Sequence, residues 1–224
     1  MSNFIYLDIE TVPLSKSKRL FAKPNKDTFN YGKATKQETK DRIFKDAVSA
    51  WETGKDAALK AETGMVALIG YSNDGETFNY LAADKLNEEK RILLKFWSMF
   101  EKGPISTPKT IVGHYVATYD MPFLVRRSFI RDISVPSWII GDLNKYRSEI
   151  IRDIRLMWTF GNKNEHISLE RICAAFGIKV KTGEVTGANF YKYWQSGNGD
   201  DKLKAIAYCK EDVMALPALY QRLR

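Results

Sequence analysis

Apolar and polar positions divide this chain into short runs that change period. Phe4, Ile5, Tyr6, Leu7 and Ile9 make residues 3–9 almost continuously apolar, the pattern of a strand buried on both faces. Residues 65–71 and 76–81 are two further β-type runs on either side of Ser72-Asn73-Asp74-Gly75, which predicts a hairpin. Leu86, Ile92, Leu93, Phe96 and Phe100 then recur at helical spacing, residues 110–113 read as a brief strand, and residues 121–130 read as a helix behind Asp120. The stretch 147–158 fits a short strand running into a helix as well as it fits one element. A helix is expected to start near Ser168 and to end at Gly177. The last segment, 200–224, places Ile206, Cys209, Val213, Leu216, Tyr220 and Leu223 on one stripe, with Pro217 predicting a kink or break. Strands followed by alternating helices and strands, with no repeats, predict one α/β domain over 1–224.

Composition narrows the possible partners. The 224 residues carry 35 Lys plus Arg against 27 Asp plus Glu, a formal charge of +8, and 44% are hydrophobic. That content supports an ordinary core and excludes a disordered tail. No run approaches the roughly 18 apolar residues of a membrane span, and residues 1–10 lack the features of a signal peptide, so a soluble cytoplasmic protein without membrane association is expected. Cys173 and Cys209 have no CxxC or Cys/His spacing, which argues against a disulfide framework and a zinc cluster. The positive balance points to a polyanion, with nucleic acid first among candidates. Residues 14–64 hold 12 Lys or Arg and 7 Asp or Glu, so +5 of the charge sits there. Ile43, Phe44, Ala47, Val48 and Trp51 predict a long amphipathic helix in its second half, either a solvated insertion or a nucleic-acid contact.

Three places carry candidate chemistry. Asp8 and Glu10, two apart in a strand, share one face, and two carboxylates held together repel unless a cation joins them. Mg²⁺ or Mn²⁺ would meet that need, since both prefer carboxylate oxygen. Two solvent-facing residues near a strand end remain the plain alternative. Asp120 follows the strand and loop GHYVATY; with Pro122 in the next turn it also reads as an ordinary helix N-cap. Tyr208 and Asp212, four apart on the last helix, share a face beside the apolar stripe, where packing and solvation are sufficient reasons for them.

Taken in order, Asp8-Ile-Glu10, Asp120 in GHYVATYDMPFL, and Tyr208-x-x-x-Asp212 closely resemble the three motifs of the DEDD 3′–5′ exonuclease superfamily. The match is to its tyrosine branch, because position 207, where the histidine branch would have His, is Ala. The nearest likeness is to stand-alone exonucleases related to the proofreading domain of family B DNA polymerases. It implies a ribonuclease H-like fold, a central mixed β-sheet flanked by α-helices. It further implies two Mg²⁺ or Mn²⁺ ions, with Asp8, Glu10 and Asp212 on the first, Asp8 bridging to the second, and Asp120 supporting that second ion. Tyr208 would orient the attacking water. Relatives usually carry Asn after the Gly-His or Gly-Tyr of the second motif; Tyr115 stands there beside His114, as a base-stacking group or a core residue. By the same likeness, the backbone at Thr11 would meet the 3′ end, and Phe123 and Leu124 would pack in the core.

The function so implied is metal-dependent removal of nucleotides from the 3′ end of single-stranded DNA, with a DNA polymerase or repair complex as a conceivable partner. RNA is the alternative substrate, since discrimination rests on contacts around the 2′ hydroxyl. A catalytically silent nucleic-acid-binding module is the alternative class, disfavoured because all four acids and the tyrosine are intact. Positive charge is then expected around the acidic centre, from the 14–64 segment and from Arg126, Arg127, Arg131, Arg147, Arg152 and Arg155.

Overall fold

A computed structural model of the chain describes residues 4–16, 22–54, 56–101, 109–145, 148–179 and 183–224. Arg147, residue 3, and residues 17–21 and 55 of the basic segment lie outside them. Five strands form one sheet in the order β3-β2-β1-β4-β5. β1 (Phe4–Pro13) is the middle strand, as its apolar run requires, antiparallel to β2 (Gly64–Ser72) and parallel to β4 (Thr110–Gly113). β3 (Asn79–Ala82) pairs antiparallel with β2, and β5 (Ile151–Asp153) parallel with β4, so the sheet is mixed. The pairing of β1 with β2 runs in regular register through Asp8, Ile9 and Glu10 and shifts only between Glu10 and Thr11, where Ala67 of β2 is the extra residue.

The hairpin differs from expectation in its second arm, which begins at Asn79 and not at residue 76. The Asp74 carboxylate accepts from the amides of Glu76 and Thr77 at 2.9 and 2.7 Å. Those amides are thereby held in the turn and withheld from the ladder. Residues 147–158 resolve as a strand running into a helix, β5 followed directly by α5 (Ile154–Trp158). Asp142, on α4 (Ser137–Leu143), holds the start of β5 by accepting from the Glu149, Ile150 and Ile151 amides.

Helices cover the sheet. α2 (Leu86–Glu101) buries Ile92, Leu93, Phe96 and Trp97, and α3 (Asp120–Ile130) buries Phe123 and Leu124 as expected. α6 (Leu169–Ala175) starts at Ser168, whose side chain accepts from the Arg171 amide, and Gly177 follows it at φ +68°. After α7 (Phe190–Trp194), α8 runs from Gly199 to Leu223 with Pro217 inside it, so of the expected kink or break the break does not occur. One missing helix bond is outweighed by the burial of Cys209, Val213, Leu216, Leu219 and Tyr220 on the sheet side. Gly70 of β2 makes this close seating possible, because a Cβ there would overlap the Cys209 sulfur.

The basic segment forms α1 (Gln37–Thr53), the expected amphipathic helix. Its stripe of Ile43, Phe44, Ala47, Val48 and Trp51 is only half-buried, and among the described residues none of these belongs to the core or packs against it. Phe29 meets Phe44 edge-on at 5.3 Å and Lys16 lies over Trp51. The last part of the segment differs, since Ala57 and Ala61 are buried.

Candidate active site

Three chain segments meet in one place. β1 brings Asp8 and Glu10, the loop behind β4 brings His114, Tyr115 and Asp120, and α8 brings Tyr208 and Asp212. All seven line one cavity of about 420 Å³. Asp8 is half-buried, while Glu10, Asp120 and Asp212 are each under 10% exposed, at 8%, 3% and 8%. Thr11 stands apart, in an adjoining cavity of about 450 Å³ that shares Ile9, Glu10, Leu59, Tyr119 and Gly187 with the first.

Asp120 does not cap its helix. Tyr119 occupies the cap position, and Asp120 is the first helical residue. Its Oδ1 accepts the Ile9 backbone N–H at 3.0 Å, pinning α3 to β1 between the two β1 acids. Burial pushes the Asp120 carboxyl up to about 7, with the Ile9 bond opposing and the charges of Asp153 and Asp212 adding to the rise. Burial also raises the Tyr208 phenol above its usual range, with Glu10, Asp212 and Asp8 adding repulsion in that order. Tyr208 is therefore an O–H donor at neutral pH. Gly187 faces that hydroxyl, where a Cβ would come to 3.5 Å.

Cys209 joins the acids unexpectedly. Ligand atoms of Asp8, Glu10 and Cys209 lie within 4.8 Å of one another, a group that could hold a metal ion. Burial raises the thiol well above its ordinary value, and the charges of Asp8, Glu10 and Asp212 act the same way, so it is a neutral S–H. Oxygen-rich donors beside a protonated thiol suit a hard divalent cation better than a thiophilic one.

Asp153, absent from the sequence reading, organises the second motif. It is 3% exposed; Oδ1 accepts from the Tyr115 amide at 3.2 Å and Oδ2 from the Ala117 amide at 3.1 Å. It also caps α5 through the Arg155 and Leu156 amides. Its signal was an acid directly before a helix start, which is indistinguishable in sequence from a plain cap. Tyr115 sits at φ +62°, a region in which Asn is enriched, which gives a backbone reason for the Asn usual at this place in the resembling family. Its hydroxyl meets His166 Nδ1 at 3.0 Å, and the Arg155 guanidinium lies 4.4 Å over its ring. His114 bonds the Ile167 carbonyl through Nε2. Tyr119, also unforeseen, meets the Thr11 hydroxyl at 2.9 Å.

Two of the expected cationic flanks are interior. Arg127, 1% exposed, pairs with fully buried Glu89, donating from Nε and Nη2 at 2.9 and 2.5 Å, and gives Nη1 to the Ala61 carbonyl. Arg155 is likewise 1% exposed and donates to the Lys163 and Glu165 carbonyls. A guanidinium satisfies a carboxylate and several carbonyls at once, so both arginines stabilise the interior better than they could hold phosphates. Arg126 and Arg152 are exposed, and Arg131 is half-buried near Glu89.

A mixed sheet with an acidic cleft built on its middle strand and the loop that follows the parallel neighbour defines an α/β protein of the ribonuclease H-like type. The chain belongs to the RNase H superfamily, whose family model matches residues 56–224. Among solved structures it is similar to the family B DNA polymerase from the hyperthermophilic archaeon Pyrobaculum calidifontis, with a TM-score of 0.56 and 18% identity. The likeness covers 71% of this chain and 22% of the polymerase, and it concerns the fold. No curated protein matches the chain. Among the described residues, no helix is long and apolar enough to cross a membrane.

Proposed function

We propose that this protein is a 3′–5′ exonuclease of the tyrosine branch of the DEDD group, hydrolysing single-stranded DNA from its 3′ end with two Mg²⁺ or Mn²⁺ ions. One observation carries the reading: Asp8, Glu10, Asp120, Tyr208 and Asp212, brought from three distant parts of the chain, line a single cavity. Asp8, Glu10 and Asp212 would hold one ion, with Asp8 and Asp120 toward the second. Such ions, when bound, supply an activated water and neutralise the charge that develops on the phosphodiester. The protein's own groups supply position. The Ile9 amide fixes the Asp120 carboxylate, and the protonated Tyr208 phenol offers a directed O–H to an attacking water or a phosphate oxygen. Tyr115 and His114, on the cavity's rim, would meet the terminal nucleotides, and Thr11 would meet the 3′ end from the adjoining cavity.

The test is degradation of a 5′-labelled oligonucleotide with Mg²⁺ or with EDTA. Asp8→Ala and Asp212→Ala should each abolish stepwise shortening from the 3′ end while the circular dichroism spectrum stays native. Full activity in either variant refutes the assignment, and internal cuts in a 3′-blocked strand would indicate an endonuclease. Tyr208→Phe should lower kcat about 10²-fold or more with little change in KM, the cost of losing a positioned donor. Parallel DNA and RNA substrates decide the sugar preference.

A further inference from the structure

Phe160 is 98% exposed and sits at φ +51°. A bulky side chain in the left-handed region costs folding free energy, and at this exposure no packing offsets the cost. The strained turn is nonetheless well held. The Phe160 and Gly161 amides donate to the Met157 and Leu156 carbonyls at 3.4 and 2.8 Å, and the Thr159 hydroxyl donates to the Asn162 carbonyl at 3.1 Å. The far end of the same loop is tied to the cavity's rim. Arg155 donates to the Lys163 and Glu165 carbonyls at 3.1 and 3.0 Å while lying over the Tyr115 ring. His166, exposed and within 11° of parallel to Tyr115, bonds that tyrosine's hydroxyl. Lys163, within the loop, is exposed, as is Arg152 on β5. An aromatic ring presented to solvent, on a loop that also carries an exposed lysine and is braced against the acidic cavity's rim, has the elements of a single-strand stacking platform.

We infer that residues 159–166 form a strand-binding arm, in which Phe160 stacks on a base of single-stranded DNA that continues away from the cavity. This rests on the reading of the cavity as the holder of the strand's 3′ end. A strained, unpacked phenylalanine contributes to binding and not to folding, and the two readouts separate those roles.

The experiment is fluorescence anisotropy of a labelled oligo-dT in EDTA at low salt, paired with thermal unfolding. Phe160→Gly should weaken binding about 5- to 150-fold, the loss of one stacked base, while Tm holds or rises because glycine accepts φ +51° without strain. Phe160→Trp should restore affinity, and its indole emission should be quenched by the bound strand. Equal affinity of Phe160→Gly and the unmodified protein overturns the arm, as does a fall in Tm large enough to account for the loss, or no binding by the unmodified protein. If Phe160→Gly weakens binding but the unmodified protein releases no nucleotide with Mg²⁺, the catalytic reading fails and the arm stands. Nucleotide release with unchanged Phe160→Gly binding fails the arm alone.

Discussion

At the scale of the residue, environment and not residue type sets what each acid does. Asp120 and Asp153 are both deeply buried, and burial raises both carboxyls, but their bonds differ. Asp120 clamps one amide of β1, whereas Asp153 gathers amides from the Tyr115 loop and from α5. The Asp120 shift has a definite sign in stability. Its ordinary value is 3.8 and its folded value about 7, so between these the folded state keeps a proton that the unfolded state has lost. Stability from this group is full below pH 3.8 and falls as pH rises through about 7. In EDTA, Tm should therefore decline across that window, and Asp120→Asn should flatten the decline. A slope unaltered by the substitution would assign the titration elsewhere. Asp153→Ala should cost about 2–4 kcal/mol in chemical denaturation, since it orphans several buried amides. It should also raise KM for oligonucleotides through the released Tyr115 loop.

At the scale of the element, α3 shows how one residue step along a helix separates two roles. Arg126 and Arg127 are neighbours of equal charge, yet Arg126 faces solvent and Arg127 is locked to Glu89 against the sheet. Removing one partner of a buried ion pair strands the other, so Arg127→Ala should lose about 3–5 kcal/mol of stability. Arg126→Ala should stay within about 0.5 kcal/mol of the unmodified protein. Urea unfolding of the two variants side by side measures the contrast, and equal stabilities would remove Arg127 from the interior. The glycines mark where elements approach too closely for a side chain. At Gly113 a Cβ would come 2.7 Å from the Leu7 carbonyl oxygen and from the Val116 Cβ. The end of β4 thus lies directly against β1, which is what carries the His114–Asp120 loop to the β1 acids.

For the whole molecule, the charge of +8 has a more particular distribution than composition suggested. Some of it is internal, in Arg127 and Arg155, and in the basic segment Phe29 packs on Phe44 of α1 apart from the core. Four acids gathered without a cation repel, so ion binding should stabilise the fold as a whole. Mn²⁺ at 100 times its dissociation constant should add about 2.7 kcal/mol of unfolding free energy. EDTA should remove that gain, and Asp8→Ala should abolish it; a Tm indifferent to Mn²⁺ would count against a metal site. The sequence by itself determined the central strand, the hairpin, the amphipathic helices and the spacing of the motif acids, because period and local spacing are properties of neighbouring residues. It could not determine that Asp120 grips the Ile9 amide, that α8 passes Pro217 unbroken, that Cys209 enters the acidic cluster, or that Arg127 turns inward. Each of these is decided by partners tens of residues away, whose packing and hydrogen bonds override what the local pattern allows.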